Sequence, residues 1–78
     1  MEYYILRFLL EDTKKKFPMI LLKHTDKCDV WSSFVDPQNQ PKAFVSKEEA
    51  ELVIINIKQI KNRKNYFYVV SQDLNQWL

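Results

Sequence analysis

In EYYILRFLL, residues 2–10, aromatic and branched side chains read as a β-strand, and that strand is apolar on both of its faces. Tyr4, Leu6, Phe8 and Leu10 point one way. Tyr3, Ile5, Arg7 and Leu9 point the other, with Arg7 the one polar interruption. FPMILLKH, 17–24, repeats the arrangement, Phe17, Met19 and Leu21 standing opposite Ile20 and Leu22. NYFYVVS, 65–71, sets Tyr66, Tyr68 and Val70 against Phe67 and Val69. A sheet made of such strands needs cover on two sides, because each apolar face must be buried against something.

The chain offers one long helix to do it. SKEE, 46–49, is a capping box: the Ser46 hydroxyl accepts the Glu49 amide while the Glu49 carboxylate reaches back to the Ser46 amide. From Lys47 to about Lys64 the pattern is helical, and at about 100° per residue Ala50, Val53, Ile54, Ile57 and Ile60 share the arc that faces a core. Leu52 and Ile55 fall on the opposite, polar side, among Glu48, Gln59 and Arg63.

The remaining segments are short. EDTKKK, 11–16, is a charged hairpin tip, and Pro18 belongs at a strand start or on an edge because it has no amide hydrogen to give a ladder. TDKCD is a turn, VWSSFV (30–35) a third strand, DPQNQP another turn and KAFV (42–45) an extended piece. QDLNQWL, 72–78, forms a last helical turn that tucks Trp77 and Leu78 onto the body. The order β-β-β-α-β predicts one α+β domain spanning 1–78, with a mainly antiparallel sheet and one long helix packed on one face.

Two covers serve the other face. One is internal, with the 26–45 segment and the Trp77–Leu78 tail folded over it. The other is external, a second copy or another protein, and 78 residues are few for covering two faces from within. On the external reading Tyr3, Ile5, Leu9, Ile20 and Leu22 form a contiguous apolar patch, the kind of surface that marks association. Tyr3, Ile5, Arg7 and Leu9 are then the partner-binding residues, with Leu52 and Ile55 a second patch. A standard interface would bury about 800 Å² on each partner.

The rest of the composition works by exclusion. The chain contains no glycine, so phosphate loops of the Walker or dinucleotide type are ruled out. The RNA-recognition signature also needs glycine. A single cysteine, Cys28, forbids an internal disulfide and fits a reducing, intracellular setting. The longest apolar runs fall far short of the roughly 20 residues of a membrane helix, and the start lacks the basic leader of a signal peptide. These features predict a soluble cytoplasmic protein with no cofactor and no membrane partner.

KQIKNRKNYFY, 58–68, gathers four cations and three aromatics. Its cations end the helix that Glu48, Glu49 and Glu51 begin, as the helix macrodipole favours, and Tyr66, Phe67 and Tyr68 are ordinary strand residues. A nucleic-acid reading uses the same residues. Lys14, Lys15 and Lys16 at the hairpin tip, with Lys58, Lys61, Arg63 and Lys64, would bracket a phosphate backbone if both groups lie on one side. The net charge of +2 is small for a dedicated nucleic-acid binder.

HTDKCD, 24–29, holds the one histidine and the one cysteine beside two carboxylates. A structural zinc site wants four Cys or His ligands in paired spacing, and a thiol nucleophile wants a base and an oxyanion hole. A polar hairpin loop accounts for these residues with no metal. No carboxylate pair suits acid–base work, so the expectation is a binding protein and not an enzyme.

KAFVSKEEAELVIINIKQIKNRKNYFYVV resembles a pattern found among small phage and mobile-element proteins, an F-x-S/T-K-E-E-A-E helix start followed by a Y-x-V-V closing strand. The resemblance covers residues 42–70. It implies a non-enzymatic accessory factor that inhibits or modulates a host protein or a defence complex, and it carries no functional residue with it.

Overall fold

The structure is a computed structural model that describes residues 2–11, 18–33, 37–61 and 65–74, with Ile60 and Lys61 as backbone. The elements follow the order β1 (Tyr4–Leu9), β2 (Met19–His24), β3 (Asp29–Ser32), α1 (Lys47–Lys61) and β4 (Tyr66–Ser71). They build the α+β fold that the sequence predicts. The sheet order is β3-β2-β1-β4, every neighbouring pair is antiparallel, and the chain crosses from one edge to the other by way of α1. No described helix is long and apolar enough to cross a membrane.

β1 and β4 share a regular six-rung ladder from Tyr4↔Ser71 to Leu9↔Tyr66. On the other side of β1 the ladder with β2 has only Leu6↔Ile20 and Arg7↔Met19. Beyond those rungs residues 42–44 take over. The Lys42 amide donates to the Leu21 carbonyl at 2.9 Å, and Tyr3 and Phe44 exchange both backbone bonds at 2.9 and 2.8 Å. Lys42 and Phe44 are thus bonded to Leu21 of β2 and to Tyr3 just before β1, while Val45, the end of the expected extended piece, is a bend. In β2, Leu22 is the extra residue of a bulge, since Leu21 pairs with Trp31 but Lys23 pairs with Val30. Bulges bend a strand and increase its twist.

The turn between β2 and β3 closes without glycine. The Thr25 amide donates to the Cys28 carbonyl at 2.9 Å, and the Thr25 hydroxyl accepts the amides of Lys27 and Cys28 at 3.3 and 3.0 Å. The threonine side chain thereby takes the place of a backbone acceptor. At its base His24 and Asp29 face each other, Nδ1 and Oδ1 2.5 Å apart.

The Glu49 amide donates to Ser46 Oγ at 3.1 Å, the cap that begins α1. Ala50, Ile54 and Ile57 are buried, as the helical arc requires. Ala50 and Ile54 pack with Ile5, Leu21 and Phe44, flanked by Tyr3, Trp31, Val53, Tyr68 and Val70. This is the first core. The second lies on the other side of the sheet, where Leu6, Phe8 and Ile20 meet Phe67, Val69 and Leu74. The Phe8 and Phe67 rings stack there with centroids 5.2 Å apart and planes at 14°.

These cores bury one residue of the face assigned to partner binding, Ile5, and leave another, Leu9, 49% exposed. Tyr3, Ile5, Arg7 and Leu9 stand on the side that α1 covers, and Ile5 is fully buried beneath Ala50 and Ile54. Leu6, Phe8 and Ile20, on the side away from the helix, are fully buried within the single chain, so its own residues cover that side too. Leu74 is one of them. Phe44, from the segment expected over the second face, packs beneath the helix instead. Alternation in sequence separates the two faces of a strand but cannot say which one a helix will choose when both are apolar.

Smaller differences lie at element ends. The third strand is Asp29–Ser32 where 30–35 was expected, and residues 34–36 lie outside the described residues. Residues 72–74 bend without forming a helical turn, and Trp77 and Leu78 lie outside the described residues, as do Lys14, Lys15, Lys16, Arg63 and Lys64.

Candidate functional site: an aromatic patch around Arg7

Past the end of the helix-side core, β1 carries Arg7 and β4 carries Tyr66 and Tyr68 on the same side of the sheet, because Arg7 is the register partner of Tyr68 and Leu9 that of Tyr66. The Arg7 guanidinium carbon lies 4.2 Å from the centroid of Tyr66 and 4.5 Å from that of Trp31. Trp31 in turn meets Tyr68, centroids 5.9 Å apart and planes at 41°. Lys58, from the later half of α1, places Nζ 5.9 Å over the Tyr68 ring. Leu9 closes the group beside Tyr66.

The geometry follows from local rules. β4 alternates Tyr66, Phe67, Tyr68, so both tyrosines turn toward Arg7 while Phe67 drops to the other core. A guanidinium is planar and weakly hydrated, which lets it stack on rings where an ammonium would demand water. Each such contact is worth about 0.5–1 kcal/mol when exposed and up to about 2 when desolvated. Arg7, Trp31, Tyr66 and Tyr68 are all half-buried, while Leu9 is 49% exposed. The patch is therefore part wall of the fold and part surface.

The other residues singled out by sequence fall elsewhere. Tyr3 is half-buried against the first core. Leu52 and Ile55 sit on the solvent side of α1, 65% and 50% exposed, as their helical phase predicts. Of the seven cations in the nucleic-acid reading, only Lys58 has a described side chain. Cys28 is exposed, with Thr25 Oγ1 3.6 Å from its sulfur, and His24 is engaged with Asp29. Among the described residues no group of three His, Cys, Asp or Glu comes together to hold a metal.

Sequence reasoning named Arg7 and Leu9 but missed Trp31, Tyr66 and Tyr68 as their companions. The tyrosines were legible as Arg7's neighbours once β4 was placed beside β1. Trp31 was not, since it arrives from the far edge of the sheet.

No family model matches the chain, and no curated protein or solved structure matches it.

Proposed function

We propose that the protein is a non-enzymatic binding module that docks another protein through the Arg7, Trp31, Tyr66, Tyr68 and Leu9 patch. One observation carries this: a tryptophan, two tyrosines and an arginine gather half-exposed beside an open leucine. Trp, Tyr and Arg are the side chains that dominate binding energy at protein interfaces, since they bring large contact area with few rotatable bonds. Leu52 and Ile55 supply a smaller apolar surface on the outer side of α1. The resemblance of residues 42–70 to phage and mobile-element proteins supports a role as an accessory factor that modulates a host protein.

A photo-crosslinking side chain at Leu9, compared with one at Asp26 in the β2–β3 turn, tests the reading in extracts of the cells that carry the protein. Adducts from position 9 and none from position 26 support it. Equal adducts from both, or none from position 9, end it. Sedimentation of the purified chain shows in parallel whether the adduct is a second copy.

Nucleic acid is the second reading, favoured by the exposed cation Lys58 beside the patch. Fluorescence anisotropy with a labelled oligonucleotide at low and physiological salt decides it, because phosphate contacts weaken steeply with salt. No binding at low salt removes this reading.

A further inference from the structure

We propose that the outer side of α1 is a self-association surface, on which a second copy of this chain packs its own α1 in the antiparallel sense. The pairing stands apart from whatever the Arg7 patch binds. The first ground is the spacing of residues on that side. Glu48, Leu52, Ile55 and Gln59 follow one another at steps of four, three and four, and all of them are exposed. At about 100° per residue they form one stripe, on the far side of the helix from Ala50, Ile54 and Ile57, which α1 buries in its own fold. Alternating steps of three and four make the seam of a two-helix coil, in which side chains of one helix interlock with those of the other. Leu52 and Ile55 hold the centre of the stripe, 65% and 50% exposed, with polar Glu48 and Gln59 at its ends.

The second ground is charge complementarity. The charged residues of α1 are Lys47, Glu48, Glu49 and Glu51 in its first half and Lys58 and Lys61 in its last turns. Twofold symmetry sets a surface against its own copy, so the match must lie within this one helix. An antiparallel pair centred between Leu52 and Ile55 puts Leu52 against Ile55 of the partner subunit, and Glu48 against Gln59 of the partner subunit. Glu51 and Lys58 share one flank of the stripe. In this register each Glu51 comes to within about 3 Å, measured along the axis, of Lys58 of the partner subunit, which gives two ion pairs related by the symmetry. Within the chain these side chains are held loosely: Glu51 Oε1 is 4.0 Å from Lys47 Nζ, and Lys58 Nζ is 5.9 Å from the Tyr68 ring centroid. Lys47 lies farther round the helix, behind Glu51. A parallel pair would set the acidic starts together and the basic ends together, and would align the two macrodipoles unfavourably. The contact is short. A helix of 15 residues is about 22 Å long, so the seam falls below the roughly 800 Å² per partner of a standard interface, and the dimer is weak, half formed on the order of 0.1–1 mM.

The test is sedimentation equilibrium of the purified full chain over concentrations spanning that range, with NMR spectra of isotope-labelled protein recorded alongside. The expected result is a monomer–dimer equilibrium whose concentration-dependent shifts centre on Leu52, Ile55 and Gln59. Leu52→Glu, at an exposed helical position, abolishes it. Glu51→Lys alone and Lys58→Glu alone each oppose like charges across the seam and weaken association roughly fivefold. Mixing those two single variants makes both flanking pairs opposite in charge again and restores association, as does combining both changes in one chain. Thermal melts check the fold of each variant, and the mixture tests the register with Leu52 and Ile55 in place. A chain that stays monomeric throughout the range overturns the proposal. So does association that survives Leu52→Glu, or shifts centred on Leu9, Trp31 and Tyr66 instead. A mixture of the single variants that associates no better than either alone overturns it as well.

Discussion

The rings of Trp31 and Tyr68 lie 5.9 Å apart, yet they come from β3 and β4, the two outermost strands of the sheet. Strands spaced roughly 4.8 Å apart put about 14 Å between those two backbones. The side chains span that gap by leaning inward over Arg7, which a strongly twisted sheet permits. The Leu22 bulge adds twist beside β3. The contact ties the β2–β3 hairpin to the β1–β4 pair without a backbone hydrogen bond.

Removing Trp31 should therefore cost more than a half-buried surface residue normally does. Trp31→Ala is expected to destabilise the fold by about 2–4 kcal/mol, near the lower part of the range for large-to-small aromatic changes in cores. Trp31→Phe should recover much of it, because a ring remains to meet Arg7 and Tyr68. Urea unfolding followed by far-ultraviolet circular dichroism measures both. A loss below about 0.5 kcal/mol for Trp31→Ala, the level of an ordinary surface change, would contradict the bridging role.

Ile5 and Leu9 share a side of β1, yet their replacement by lysine should give opposite results. Ile5 is fully buried beneath Ala50 and Ile54, so Ile5→Lys places an unpaired charge in the core and the chain should fail to fold. Leu9 is half open, and Leu9→Lys should stay within about 1 kcal/mol of the parent. The Leu9 variant thus tests docking on a folded protein. Thermal melts of the two, run side by side, check the contrast.

How much of this was legible beforehand depends on how local each feature is. The Ser46 cap, the buried arc of Ala50, Ile54 and Ile57, and the exposure of Leu52 and Ile55 all follow from residues within a few positions of one another. The alternation of Tyr66, Phe67 and Tyr68 was equally visible. The side that α1 would cover was not, because Ile5 and Leu6 are both apolar and sequence gives them equal claim. Trp31's place above Arg7 depends on strand order and on the bulge at Leu22, which are properties of distant pairings. A patch built from four elements has no signature in any one of them.

Thr25 does in the β2–β3 turn what glycine does in many hairpins. Thr25→Val keeps the shape and removes the acceptor for the Lys27 and Cys28 amides. The expected loss is about 1 kcal/mol, near the net worth of an ordinary hydrogen bond, and Thr25→Ser should restore it. Equilibrium denaturation of the three proteins provides the comparison.

Tyr4 gives the fold a response to alkali. Its hydroxyl donates to Glu2 Oε2 at 2.8 Å. That bond, with burial and the Glu2 charge adding to it, raises the phenol above its ordinary value. The folded chain then holds this proton more tightly than the unfolded one. The associated stability is present below the unfolded pKa of about 10 and is lost as pH climbs through the raised folded value. Glu2→Gln should lower the Tyr4 midpoint in an NMR titration of the ring; an unchanged midpoint would remove Glu2 as the cause.

Residues 42–44 reach further than their length suggests. They bind Leu21 on one strand and Tyr3 on the next, and two positions later the chain enters the Ser46 cap. The hairpin and the first turn of the helix are accordingly yoked to one short cord. Whatever lifts β2 slackens the start of α1 as well, so the two should breathe together while β1 and β4 stay zipped.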